Sequence, residues 1–192
     1  MASGRRGSVA RRRRTSAIVL QICFCMKAKA RLFGHPIHQM LVVFPLGVLG
    51  MSFFFDIAYL ITKRSDLAAS AFWMIFAGVI AGLIAAVFGL IDWLGIPGRT
   101  RAKAIGLWHG VGNVVVLGLF IASWYLRQPD PALPSLAAII LSAVGMGIVL
   151  VTGWLGGELV DRLGVGVHDG ANVNAPSSLS GRPTTESNIR AA

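Results

Sequence analysis

The segment Phe33-Gly34-His35-Pro36-Ile37-His38-Gln39-Met40-Leu41-Val42-Val43-Phe44-Pro45-Leu46 decides how the rest of the chain is read. Two histidines and a proline open it, and an apolar run follows. Proline suits the first turn of a helix, where its missing N–H has no partner to lose. His35 and His38, three residues apart, share one face of that turn. The stretch reads as the membrane-entry end of a transmembrane helix that carries two imidazoles at the interface.

Outward from this segment the apolar character persists. Ile37–Ile61 holds one charge, Asp56, and Ala69–Ile96 holds one, Asp92, while Ile105–Leu126 and Ser135–Leu155 hold none. Each is at least about 20 residues long, which at ~1.5 Å per residue crosses a ~30 Å hydrocarbon core. A soluble core helix would show a polar stripe at period 3.6, and these do not. The expected fold is therefore an all-α integral membrane protein: a four-transmembrane-helix bundle, with both termini cytoplasmic and disordered ends. The membrane domain is expected to span 32–168, with helices at about 36–62, 68–96, 104–127 and 134–160.

Composition agrees. The chain of 192 residues is 55% hydrophobic and 14% charged, with mean hydropathy +0.68, whereas soluble domains carry about 25% charged residues. The net charge of +10 is no sign of nucleic-acid binding. Nine of the 18 basic residues lie in the first 31 positions, which contain no acid, and the remaining nine nearly balance the eight acids. A basic head before an apolar helix sets membrane orientation. Cys23 and Cys25, a lone Cys-x-Cys, indicate neither a zinc site nor a disulfide framework.

Residues 1–31 form a basic arm expected to be disordered. Arg11 to Arg14, Ala17 to Met26 and Ala28-Lys29-Ala30 imitate a signal peptide, but a start at Met26, with the residues up to Cys25 as an extension of the gene model, suits the topology better. The head carries nine Lys/Arg and the middle loop three (Arg99, Arg101, Lys103), against two and one in the other loops. Head and middle loop share a side in a four-span protein, which gives cytoplasmic termini. A cleaved signal would put the middle loop outside. The polar stretch 169–192 reads as a flexible tail. Gly78/Gly82, Ala81/Ala85/Gly89, Gly106/Gly110 and Gly153/Gly157 are small-xxx-small spacings that let helix backbones approach closely in lipid.

Topology then gathers the polar residues. His35 and His38 open helix 1, Asp92 closes helix 2, His109 and Asn113 lie early in helix 3, and Glu158 follows helix 4, all at the same membrane face. Asp56 is excluded, about 27 Å farther along its helix at ~1.5 Å per residue, and His168 lies outside on the tail. Ionisable groups at membrane depth usually face the interior and carry function. The plainer alternative is that each serves as an interfacial anchor solvated by water and headgroups. A faint repeat matches His38…Trp93-Leu94-Gly95 with His109…Trp154-Leu155-Gly156, as two hairpins running in the same direction would produce.

Phe33-Gly34-His35-Pro36-Ile37-His38 with Phe44-Pro45-Leu46-Gly47, Gly89-Leu90-Ile91-Asp92-Trp93-Leu94, Gly106-Leu107-Trp108-His109-Gly110 and Gly153-Trp154-Leu155-Gly156-Gly157-Glu158-Leu159-Val160 appear in this order. On these motifs the chain resembles the bacterial family called domain of unknown function 2231, over about Leu32 to Ser180. Asn174-Ala175-Pro176-Ser177-Ser178-Leu179 is similar to tails in that family. The resemblance implies a four-helix protein of the bacterial inner membrane. Some relatives look to be joined to Rieske iron–sulfur modules, which implies a redox partner of that type. It implies no established activity. His35, His38, Asp92, His109 and Glu158 fall on the family's motif positions; His168, Cys23 and Cys25 do not.

Two functions follow from the residues. The first is a redox or metal-binding membrane module, in which His38 and His109 bind a b-type haem from two helices. In its other form His35, His38 and His109 with Asp92 or Glu158 hold a divalent metal. The second is a non-catalytic subunit, anchor or proton-relay bundle. No nucleophile–base pair, phosphate loop or cysteine motif lies within the spans, so the chain reads as lacking catalytic activity of its own. The lipid bilayer is the expected partner, and nucleic acid is not.

Overall fold

The computed structural model describes residues 25–184, so the signal-like pattern before Cys25, together with residues 185–192, lies outside the described range. Five α-helices make up most of it: α1 Ile37–Leu41, α2 Val43–Thr62, α3 Ser65–Gly95, α4 Arg101–Leu126 and α5 Leu136–Gly157, the last continuing into a π-helical turn, Glu158–Arg162. As spans these are four: Ile37–Thr62, Ser65–Gly95, Arg101–Leu126 and Leu136–Arg162, with mean hydropathies of 2.0, 2.6, 1.8 and 2.3 in their most apolar windows. All four are long and apolar enough to cross a membrane.

Proline explains the short break at Val42. Pro45 has no N–H to offer the Leu41 carbonyl, so one rung is missing. The helix resumes at once, with Val42 N donating to His38 O (3.0 Å) and Leu46 N to Val42 O (3.2 Å). Helices α3 and α4 begin earlier than hydropathy suggests. Polar residues such as Ser65, Arg101 and Lys103 extend a helix beyond its apolar part, and Thr100 caps α4 by accepting from Lys103 N at 3.1 Å. Ser135 caps α5 likewise, accepting from Ala138 N at 3.3 Å.

Helix α2 packs along α3 and α4 along α5, and α3–α4 and α2–α5 contacts close the square. The shared core is Leu49, Ile75, Val79, Val116, Phe120 and Val149. Trp124 stacks on Phe72 and Phe76 (centroids 5.6 and 5.5 Å), joining α3 to α4. The outward faces are also apolar: Trp73, Phe54, Val114, Leu150 and Val151 are all exposed. A surface of that kind needs hydrocarbon around it.

Glycines make the closest helix contacts. A Cβ on Gly78 would lie 2.5 Å from Leu49 Cδ2, on Gly82 2.7 Å from Leu117 Cδ2, and on Gly106 2.7 Å from Trp93 Cδ1, whereas Gly110, Gly153 and Gly157 have nothing within 4 Å. The small-residue spacings of α3 are thus real contacts, whereas the one at the start of α4 is a contact at Gly106 only. The one in α5 faces away from its neighbours.

The end at which the described residues begin and finish is built over by short segments. β1 (Arg31–Leu32) and β2 (His35–Pro36) pair antiparallel through Phe33 and Gly34, both at positive φ (49° and 88°) as a two-residue hairpin requires. Met26 bridges to Val165, Lys27 pairs with Asp169 at 3.4 Å, and Ser178 Oγ lies 3.3 Å from His35 Nε2. The described part of the tail, through Thr184, therefore turns back onto the segment that precedes α1.

Candidate functional site: a pair of anchored imidazoles

His38 on α1 and His109 on α4 lie side by side, with ring centroids 6.4 Å apart and planes at 89°. Both are half-buried. Each ring is held by the second helix of its own hairpin. His38 Nδ1 lies 2.8 Å from the Ala85 carbonyl of α3, and His109 Nδ1 lies 2.8 Å from the Thr152 carbonyl of α5. A carbonyl only accepts, so Nδ1 carries the hydrogen and the Nε2 lone pair is left available.

Reaching such a carbonyl has a steric condition. A helical C=O already receives the amide four residues on, and a ring using its second lone pair must lie against that residue. Four residues past Ala85 stands Gly89; four past Thr152 stands Gly156. A Cβ on Gly89 would come within 2.8 Å of His38 Cε1, and one on Gly156 within 3.1 Å of His109 Cε1. Two glycines thus create two matched slots. Asn113 adds a further link on the second: its Nδ2 donates to His109 Nε2 at 3.2 Å, and its Oδ1 accepts from Thr152 Oγ1 at 3.1 Å.

The other residues of the expected layer go elsewhere. Asp92 Oδ1 accepts from the Ala30 amide at 3.0 Å, tethering the segment before α1 to the end of α3. Glu158 pairs with Arg101 at 2.6 Å. His35 is exposed beside Ser178, and His168 Nδ1 lies 2.7 Å from Asp169 O. Among the described residues no three His, Cys, Asp or Glu side chains form a group that could hold a metal ion. Only His38 and His109 are brought together.

At the opposite end stands a second polar cluster, which the sequence reading missed by setting Asp56 aside and weighing Arg127 only as a charge of the loop that follows its helix. Both are fully buried. Arg127 Nη1 and Nη2 donate to Asp56 Oδ1 and Oδ2, each at 2.7 Å, and Arg127 Nε donates to Ser123 Oγ at 3.2 Å. Ser142 Oγ donates to Asp56 Oδ2 at 2.8 Å, so α2, α4 and α5 meet in one bidentate, hydrogen-bonded pair.

A signal for it was available. Asp56 and Arg127 are 71 residues apart, the same interval that separates His38 from His109, Leu49 from Phe120 and Ser52 from Ser123. The repeat expected between the two halves is present in these contacts, but in the second helices its register differs. Gly156 answers Gly89, not Gly95, so the Trp-Leu-Gly match does not mark equivalent positions.

Four apolar spans, outward faces suited only to hydrocarbon and polar groups gathered at the two ends define an integral membrane protein. The chain belongs to the family described as predicted membrane protein (DUF2231), whose model matches residues 34–169. No curated protein and no solved structure matches it.

Proposed function

We propose that the chain is a membrane module in which His38 and His109 together hold a metal centre, an iron in a b-type haem or a single ion. The observation that carries this reading is the paired anchoring: both Nδ1–H groups are donated to backbone carbonyls, the arrangement that orients a histidine to ligate through Nε2. Spacing supports it as well. A ligating nitrogen lies about 2 Å from its metal and the ring centre about 1.1 Å behind it, so rings on opposite sides of one metal have centroids roughly 6 Å apart. The pair stands at 6.4 Å. Asp92 and Glu158, engaged by Ala30 and Arg101, act in this reading as supports of the surrounding structure. His35 belongs to the exposed rim.

Purified full-length protein is expected to contain haem or a transition metal near one equivalent, by absorption spectrum and metal analysis. His38→Ala and His109→Ala should each lower affinity for the bound group at least about tenfold, since loss even of a residue that supports a ligand costs that much. Unchanged affinity in either variant counts against the site.

A second reading is favoured by Asn113, whose amide occupies the His109 lone pair: a pair of imidazoles that exchanges protons with one membrane face. It predicts no bound metal, and Asn113→Ala would then disturb function where metal ligation would tolerate it.

The reading includes a bacterial inner membrane with cytoplasmic termini. The loop bias supports it more strongly once Arg127 is counted as half of a buried pair, which leaves its loop with no basic residue to weigh in the orientation rule. Reporter fusions after Arg64 and after Arg101 should report opposite sides, Arg101 cytoplasmic; an external Arg101 reporter overturns the orientation.

A further inference from the structure

Equivalences between the two hairpins extend well beyond the imidazoles. Pro45, Leu49, Ser52 and Asp56 are buried on α2, and Val116, Phe120 and Ser123 on α4 with Arg127 directly after it; each stands one fixed interval from its counterpart. In the second helices Ala71/Ala138, Phe72/Ile139, Ile75/Ser142 and Gly78/Gly145 are matched buried pairs. Their interval is four residues shorter, the difference between the 47 residues from His38 to Ala85 and the 43 from His109 to Thr152. Contacts repeat with the residues: Leu49 lies over Gly78 as Phe120 lies over Gly145.

Asp56 and Arg127 therefore occupy one structural position in the two halves, and there they meet each other. Were the halves identical, this position would bring Asp against Asp or Arg against Arg, fully buried. We propose that the contact between the hairpins is a pseudo-twofold interface in which Asp56 and Arg127 act as its key, admitting the hairpin of opposite charge and rejecting a like one. The surroundings are matched to this role in part. Arg127 Nε has Ser123, one turn back, as its acceptor, and Ser52 stands one turn before Asp56. The hydroxyl that Ser142 gives Asp56 has no counterpart, because the equivalent position is Ile75.

The asymmetry provides the test, made on the full-length chain in detergent. Asp56→Arg and Arg127→Asp, each alone, should cost on the order of 10 °C in apparent melting temperature or prevent recovery of folded protein. The double exchange, Asp56→Arg with Arg127→Asp, should recover at least about half of that loss, with Ser52 replacing Ser123 as acceptor. Ile75→Ser should then act with opposite signs. In the exchanged chain it supplies the hydroxyl for the relocated carboxylate and raises the melting temperature; in the native chain it lowers it. A double exchange that yields no folded protein, or an Ile75→Ser that lowers both backgrounds alike, overturns the proposal.

Discussion

Replacing Arg127 by Ala should destabilise this protein far more than truncating an exposed charged residue. The change leaves Asp56 buried, with one hydroxyl from Ser142 in place of a bidentate partner. Removing one member of a buried pair typically costs about 3–5 kcal/mol, since the remaining charge has neither water nor counterion. For a chain of this size that is on the order of 10 °C in apparent melting temperature. Arg101→Ala is the comparison. Arg101 also makes a short ion pair, 2.6 Å to Glu158, but its side chain is 60% exposed, and such pairs contribute about 0–1 kcal/mol. Thermal unfolding of the two variants in the same detergent should separate them widely. Equal, small shifts would mean that water reaches Asp56.

Gly89→Val is expected to dislodge His38 while leaving the spans in place. Its Cβ alone would press within 2.8 Å of the ring, so the imidazole must leave the Ala85 carbonyl and the 2.8 Å hydrogen bond is lost. Overpacking costs about 1–3 kcal/mol and the lost bond about 1 kcal/mol more. Gly47→Val and Gly153→Val are the controls, because nothing lies within 4 Å of either position. Diethylpyrocarbonate labelling read by mass spectrometry should show His38 several-fold more reactive in Gly89→Val than in the native chain, and unchanged in both controls. Unchanged reactivity in Gly89→Val would show that the slot does not hold the ring.

The spans were legible because length and apolarity alone make a membrane helix, and the His38–His109 pairing followed from placing each at the start of an odd-numbered span. Helix ends were less so: hydropathy stops at Lys103 and Arg101, but helical hydrogen bonding does not. Asp92 and Glu158 looked like members of the imidazole layer because depth was all that sequence position revealed. What removes them are an amide at Ala30 and a guanidinium at Arg101, partners whose approach depends on folded short segments. Arg127 was missed for the opposite reason. It stands one residue past the last apolar residue of its span, where its charge counts toward the loop in the orientation rule, although a matching acid lay 71 residues earlier.

The apolar layer of Leu49, Ile75, Val79, Val116, Phe120 and Val149 gives the molecule electrical sidedness. It lies between the imidazoles and the Asp56–Arg127 pair, and a charge moved through it would have to give up its hydration with no polar side chain among these six residues to replace it. The layer therefore behaves as the dielectric of a capacitor whose two plates are unlike: one with two imidazoles, the other with a buried ion pair. A charge placed on the imidazole face meets a desolvation barrier before it reaches the opposite end.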